Sequence, residues 1–243
     1  MKFSGLSIFI CTVNEPEISK VIDGICNTCL SNDIKEINIV CSPKTDTSYF
    51  SLLEKSVQEH PDYNIRYFRQ TLTGLGGAVY NGYASATGSH VVGTVSDFQL
   101  DPADIGRMIE IAKREPEKII TVSRRIDGGS FGKYPALKKF LCSLFNFSAR
   151  VLMHSKQTDI SLPYQCMPTA YFTGHKFNKD YSAIMLETGF LPELDGFSVV
   201  EIPTVLRERQ TGSSNCGLKY YLILFRGYLR ILSEYYKGRH RKE

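Results

Sequence analysis

Apolar and polar positions along the first half of this chain alternate between two periods. Residues 6–13, LSIFICTV, form an unbroken apolar run suited to a central parallel strand. NEPEISKVIDGICNTCL follows, with Pro16 near its start and Ile18, Val21, Ile22, Ile25 and Cys29 on one face, which predicts a helix. IKEINIVCS predicts a second strand, SYFSLLEKSVQEH a second helix, NIRYFRQ a third strand and GGAVYNGYASAT a helix of small residues. SHVVGTVSD is a fourth strand, and residues 102–115 are the helix after it. Strand and helix thus alternate four times, which predicts an α/β fold: a doubly wound, mostly parallel sheet with helices on both faces and functional loops at the strands' carboxyl ends. Beyond EKIITVSRR the pattern loosens into a loop with Gly128, Gly129 and Gly132, a helix over about 135–153, and mixed segments to 210.

The last stretch has a different pattern. On a helix of about 3.6 residues per turn, Leu218, Tyr221, Leu222, Phe225, Tyr228, Leu229, Leu232 and Tyr236 share one broad arc. Lys219, Arg226, Arg230 and Lys237 fall on the opposite stripe. A helix of this kind can lie in a membrane interface with its basic residues at anionic headgroups, or it can pack on its own domain. The expected organisation is a domain over 1–217 followed by a basic amphipathic helix over 218–243.

Charge sharpens that division. Residues 219–243 hold seven Lys/Arg against Glu234 and Glu243, a net +5, so the rest of a chain whose total is +4 sums to −1. That distribution predicts an anionic partner at the tail and argues against a nucleic-acid-binding body. With 243 residues and 42% hydrophobic content the chain can bury one sizeable core. No window supplies the 18 or so consecutive apolar residues of a spanning helix, and MKFSGLSIFICTVNEP reads as a first strand, not a signal peptide. Seven unpatterned cysteines predict a reducing, cytoplasmic setting; Cys26 and Cys29 form a CxxC with no second pair at metal spacing, so they read as one face of a helix.

Candidate chemistry concentrates in GTVSDFQLDPADIGRMIE, where Asp97, Asp101 and Asp104 follow the fourth strand. Asp101 before Pro102, with Asp104 three residues on, has the form of a helix start. Asp97, at the strand's end and two residues before Gln99, is the acid expected to touch metal or diphosphate. The glycines at 74, 76, 77, 82 and 88 match neither GxxxxGK[ST] nor a GxGxxG after the first strand. They suit a helix whose backbone closely approaches either a ligand or the sheet.

Four segments, in order, carry a family resemblance: SIFICTVNE, then GLGGAVYNGYASATGSHVVGTVSDFQLDPADI, then ITVSRRIDGG, then VVEIPTVLRERQTGSSN. Over roughly residues 5–220 the chain resembles family two glycosyltransferases, and most closely the branch with dolichol-phosphate mannosyltransferase and polyprenyl-phosphate sugar transferases. The resemblance implies a GT-A fold, a nucleotide-sugar donor, a lipid-phosphate or glycan acceptor, and inverting transfer helped by Mg2+ or Mn2+. It sets Thr12, Asn14 and Glu15 against the nucleotide, and Gly76, Gly77 and Asn81 on the substrate side of the small-residue helix. VSDFQ stands where the family has DADLQ, so Asp97 and Gln99 are the implied metal ligands. Arg124, Arg209 and Ser214 are implied donor or phosphate contacts, with Gly212 in the same RxxGxS pattern. Asp159 is the candidate base for a hydroxyl acceptor, and Glu193 of FLPEL a further catalytic candidate.

Four departures bear on activity. Val95 replaces the first acid of DADLQ, and CSPKTD replaces an acidic DDGSTD after the second strand. Asn215 stands in place of a lysine, and TDISLPYQC lacks an arginine. They support an alternative expectation, a GT-A domain that binds a nucleotide, a sugar or a partner protein at a membrane surface without catalysis. A sugar nucleotidyltransferase would need a basic Gly-rich loop after the first strand, which TVNEPEISK does not provide.

Overall fold

The computed structural model describes residues 1–162, 164–175, 177, 183–209 and 218–238, with only the backbone described for 218–221. Seven strands form one sheet: β1 (Leu6–Thr12), β2 (Ile34–Cys41), β3 (Ile65–Arg69), β4 (His90–Val95), β5 (Ile119–Ser123), β6 (Gln165–Pro168) and β7 (Val199–Pro203), in the order β3-β2-β1-β4-β6-β5-β7. Every neighbouring pair is parallel except those of β6, which runs antiparallel to both β4 and β5. Eight α-helices and a short 3-10 helix (Ser31–Asp33) are also present among the described residues: α1 (Ile18–Thr28), α2 (Thr47–Glu59), α3 (Gly74–Ala84), α4 (Ala103–Arg114), α5 (Ala136–Leu152), α6 (Thr169–Gly174), α7 (Ile184–Leu194) and α8 (Leu218–Tyr236).

The alternation of β1 explains the layers. Leu6, Ile8 and Ile10 are fully buried in a cluster with Ile18, Ile22 and Ile25 of α1 and with Ile105 and Met108 of α4. Phe9 points the other way, into a second cluster with Ala78 and Tyr83 of α3, Phe172 of α6 and Ile184 of α7. Burying large side chains such as these stabilises by about 1.5–3 kcal/mol each. The Phe9 ring also sets the approach of α3: a Cβ on Gly82 would lie 2.3 Å from it, and one on Gly93 of β4 would lie 2.2 Å from it. Of the two uses predicted for the small-residue helix, Gly82 therefore serves the sheet, while a Cβ on Gly77 would meet the Leu72 backbone at 2.7 Å.

A third cluster joins α5, α7 and α8 through Ala149, Met153, Phe190, Leu191, Tyr228 and Ile231. The terminal helix thus packs on the domain by one side, with Gly227 seated against Ala183. The wheel had grouped Tyr228 and Leu232 with Leu222, Phe225, Leu229 and Tyr236. Here Tyr228 is buried and Leu232 packs on the cluster, while the other four stay exposed.

Strand register positions the site. Thr12 pairs with Cys41, and Cys11 with Val95, so β1, β2 and β4 end at one level. From β1 the chain runs outward to β2 and β3 and then returns to β4 on the other side, making the β1/β4 boundary the topological switch point, where open α/β sheets bind ligands.

Candidate active site

Both strands at this boundary end in unusual backbone. Asn14, just past β1, has φ 52, and Phe98, just past β4, has φ 57. Non-glycine residues enter this left-handed region at a cost and collect at functional loops. At β4 the turn lets Asp97 Oδ1 accept the Gln99 backbone N–H at 3.2 Å and directs Oδ2 toward Arg209, 3.6 Å from Nη1. The other nitrogen of that guanidinium, Nη2, donates to Glu15 Oε2 at 2.5 Å. Glu15, Asp97 and Arg209 therefore converge on the switch point, although Glu15 and Arg209 lie 194 residues apart. Burial raises the Asp97 carboxyl above its ordinary value, and the neighbouring Glu15 charge adds to this; the Gln99 N–H and Arg209 act against it.

The segment bearing Arg209 is fastened to the turn at further points. The Arg207 N–H donates to the Gln99 carbonyl at 2.9 Å, and its Nη2 to Asp101 Oδ2 at 2.7 Å, with the guanidinium 4.5 Å from the centre of the Phe98 ring. Sequence reasoning missed Arg207. Its signal was the spacing Arg207-x-Arg209, which on an extended segment turns both side chains to one side. Tyr49 was missed as well: its hydroxyl lies 2.9 Å from Thr12 Oγ1 and donates to the Glu15 carbonyl at 2.8 Å, fixing the end of β1.

Several predicted site residues have their polar groups engaged by structural partners. Asn14 donates to Asp46 Oδ2 at 2.7 Å and accepts the Asp46 N–H at 2.9 Å, tying β1 to the loop before α2. That loop, CSPKTD, is filled by Arg69, which donates to the carbonyls of Ser42, Pro43 and Thr45. Asn81 accepts the Thr71 N–H at 2.8 Å and so fastens α3 to the preceding loop; Gly76 lies in the first turn of α3, half-buried. Asp159 is fully buried and receives Arg124 Nε at 2.7 Å and Nη2 at 2.9 Å, as well as the Ser161 hydroxyl at 2.8 Å. Burial works to raise the Asp159 carboxyl, but these bonds hold it below the ordinary range. Glu193 accepts from Ser155 at 2.5 Å, the Lys156 N–H at 2.5 Å and Gln157 Nε2 at 3.1 Å, so it binds the 155–157 loop to α7. Gly212 and Ser214 lie outside the described residues.

The three acids after β4 have separate fates. Asp101 Oδ1 accepts the Ala103 N–H at 3.0 Å, the i+2 bond expected of an acid at a helix start, and its other oxygen holds Arg207. Asp104 is buried, with the Thr204 hydroxyl at 2.5 Å and Arg107 as partners. Val95, where a second acid was expected, is 39% exposed at the site's edge. Among the described residues no three His, Cys, Asp or Glu side chains gather as a metal nest.

With this geometry in view, the comparisons are specific about family. The model of glycosyl transferase family 2 matches residues 7–175. No curated protein matches the chain by sequence. Glucosyl-3-phosphoglycerate synthase from Mycobacterium tuberculosis, solved with Mn2+, UDP-glucose and phosphoglyceric acid, shares the fold with TM-score 0.70 at 13% identity, over 96% of this chain and 80% of that one. The same enzyme with Mg2+ and UDP gives TM-score 0.69 at 13% identity, over 95% and 80%. At such identity the likeness is one of fold, a GT-A-like α/β architecture. The family match, which spans well over half of the sequence, decides membership: this chain belongs to glycosyl transferase family 2.

Proposed function

We propose that this glycosyltransferase moves a sugar, with inversion, from a nucleotide-sugar donor to a lipid-phosphate acceptor, with the donor diphosphate lying across the carboxyl ends of β1 and β4. The convergence of Glu15, Asp97 and Arg209 at the switch point carries this reading. Arg209 offers a planar pair of donors suited to a diphosphate. The residues also suit a divalent cation, because a positive guanidinium already rests between two carboxylates there. Asp97 and Gln99 would hold such an ion, with Glu15 beside them, as hard oxygen donors. The cation would neutralise charge developing on the departing nucleotide. Arg209 adds to that stabilisation, and Thr12 and Tyr49 keep the β1 end in place.

The choice of acceptor rests on the candidate bases. A hydroxyl acceptor needs a group free to take its proton. Asp159 is held by Arg124 and Glu193 by the 155–157 loop, whereas a phosphate acceptor is already an anionic nucleophile and needs no base. This supports lipid phosphate over a glycan hydroxyl, in line with the polyprenyl-phosphate branch. The six described cysteines are free, as suits a reducing, cytoplasmic setting.

Transfer from a panel of nucleotide sugars to polyprenyl phosphate, with and without Mn2+, tests the proposal. Asp97→Asn should lower the rate on the order of 100-fold or more while leaving the thermal transition intact. An unchanged rate removes Asp97 from the chemistry. The exposed Val95 favours a second reading, a nucleotide-binding domain without turnover. Calorimetric nucleotide binding that ignores Mn2+, with no transfer to any acceptor, would support it.

A further inference from the structure

We infer that α5 and α8 together form a docking face for an anionic lipid bilayer. The two helices meet through side chains at points that advance in the same direction along both: Phe145 and Ser148 meet Tyr228, and about one turn further along α5 and two turns further along α8 the Tyr236 hydroxyl donates to the Leu152 carbonyl at 2.8 Å. Each buries one side in the shared cluster and leaves a second apolar side in solvent. On α5 the exposed residues are Leu137, Phe140, Leu141, Leu144, Phe147 and Val151, with Phe147 65% exposed. On α8 they are Leu222, Phe225, Leu229 and Tyr236, with Phe225 58% exposed.

Turning about 100° per residue, both exposed arcs lean toward the seam between the helices, so they join into one face. Ten exposed large apolar side chains thus share it, and a contiguous apolar patch of this kind marks a surface that meets a partner or a membrane. It is also aromatic and aliphatic throughout, the character of a surface that enters the acyl boundary. No helix among the described residues is long and apolar enough to cross a membrane, so the contact is one of lying on the surface.

Charge selects the partner. The chain from Gly128 to Thr158 contains Lys133, Lys138, Lys139, Arg150 and Lys156 and no Asp or Glu. On the wheel, Lys139 and Arg150 fall on the edge of α5 away from the seam, and Arg226 and Lys237 on the far edge of α8; Arg150, Arg226 and Lys237 are all exposed. An apolar strip between two basic rims fits a headgroup layer of negative lipids, each basic group near such a surface contributing attraction. A second copy of the chain would instead press like-charged rims together, which disfavours self-association. The inference does not depend on the transferase activity. α5 follows the loop that leaves the carboxyl end of β5, the same end of the sheet as the site, so docking by this face would set the site beside the bilayer.

Flotation of the full chain with vesicles tests it, comparing phosphatidylcholine alone with phosphatidylcholine containing phosphatidylglycerol. Binding should require the anionic lipid and weaken with salt. Phe147→Ser with Phe225→Ser should lower partitioning about tenfold or more, and Arg150→Glu or Arg226→Glu roughly fivefold per site. All four side chains are exposed, so the melting temperature should hold, and nucleotide binding should be untouched. Absence of binding to anionic vesicles overturns the inference. So does sedimentation showing that the Phe pair instead holds a dimer together, or vesicle binding that the Phe and Arg variants leave unchanged.

Discussion

At the scale of single residues, what decides a role is the partner, and the partner is often far away in sequence. Asp97 could be picked out from its place at a strand end, but its link through Arg209 to Glu15 joins segments that no local pattern relates. Asp159 could be read as a base because a motif gives a position and not a neighbour; in the fold it is the fully buried half of an ion pair. Removing one partner of a buried pair leaves an unmatched charge, so Asp159→Asn should cost about 3–5 kcal/mol, measured by urea unfolding at pH 7. The pH dependence follows from the direction of the shift. The carboxyl is held below its ordinary value, so its contribution is whole above the unfolded pKa of about 3.9 and is lost as pH falls from there through the folded value. The gap between wild type and variant should therefore narrow in acid. A gap that stays constant from neutral pH down to pH 2 would assign the loss to packing.

At the scale of elements, periodicity revealed most of the architecture. The unbroken apolar run of β1 and the spaced isoleucines of α1 are visible because each buries one continuous face. The antiparallel β6 was not visible, since four residues hold too little period to separate a strand from a loop. The wheel of α8 showed an apolar arc but not which part of it would be packed, because that depends on where α5 and α7 lie. Small residues carried a similar ambiguity between ligand and sheet, and Phe9 resolves it for α3. Its ring fills the space left by Gly82 and Gly93, so Gly93→Ala should destabilise by about 1–3 kcal/mol through overpacking. Combining it with Phe9→Leu should recover part of that loss in thermal melts. If the double variant instead loses the full sum of the two single effects, the ring is not the obstacle.

At the scale of the whole molecule, charge is the quantity that sequence averages conceal. Summed over residues outside the tail the chain is nearly neutral, and the basic character seemed confined to 219–243; the acid-free stretch from Gly128 to Thr158 disappears in that sum because carboxylates elsewhere offset it. Folding sets this stretch against α8 and restores the contrast. Sheet order has a parallel effect on the building of the chain. Among the described strands β5 bonds only to β6 and β7, and β4 has β6 as its second neighbour beside β1. A fragment ending at residue 160 should therefore lack a sharp calorimetric transition, whereas a fragment that melts cooperatively would mean the first five strands stand alone. During synthesis the same order imposes a wait: once Ser123 has left the ribosome, two strand edges remain open until Gln165 follows. The helix made in that interval is α5, whose apolar sides are then exposed together with the open edges, so this is the period in which a nascent chain would most need a chaperone or a nearby membrane.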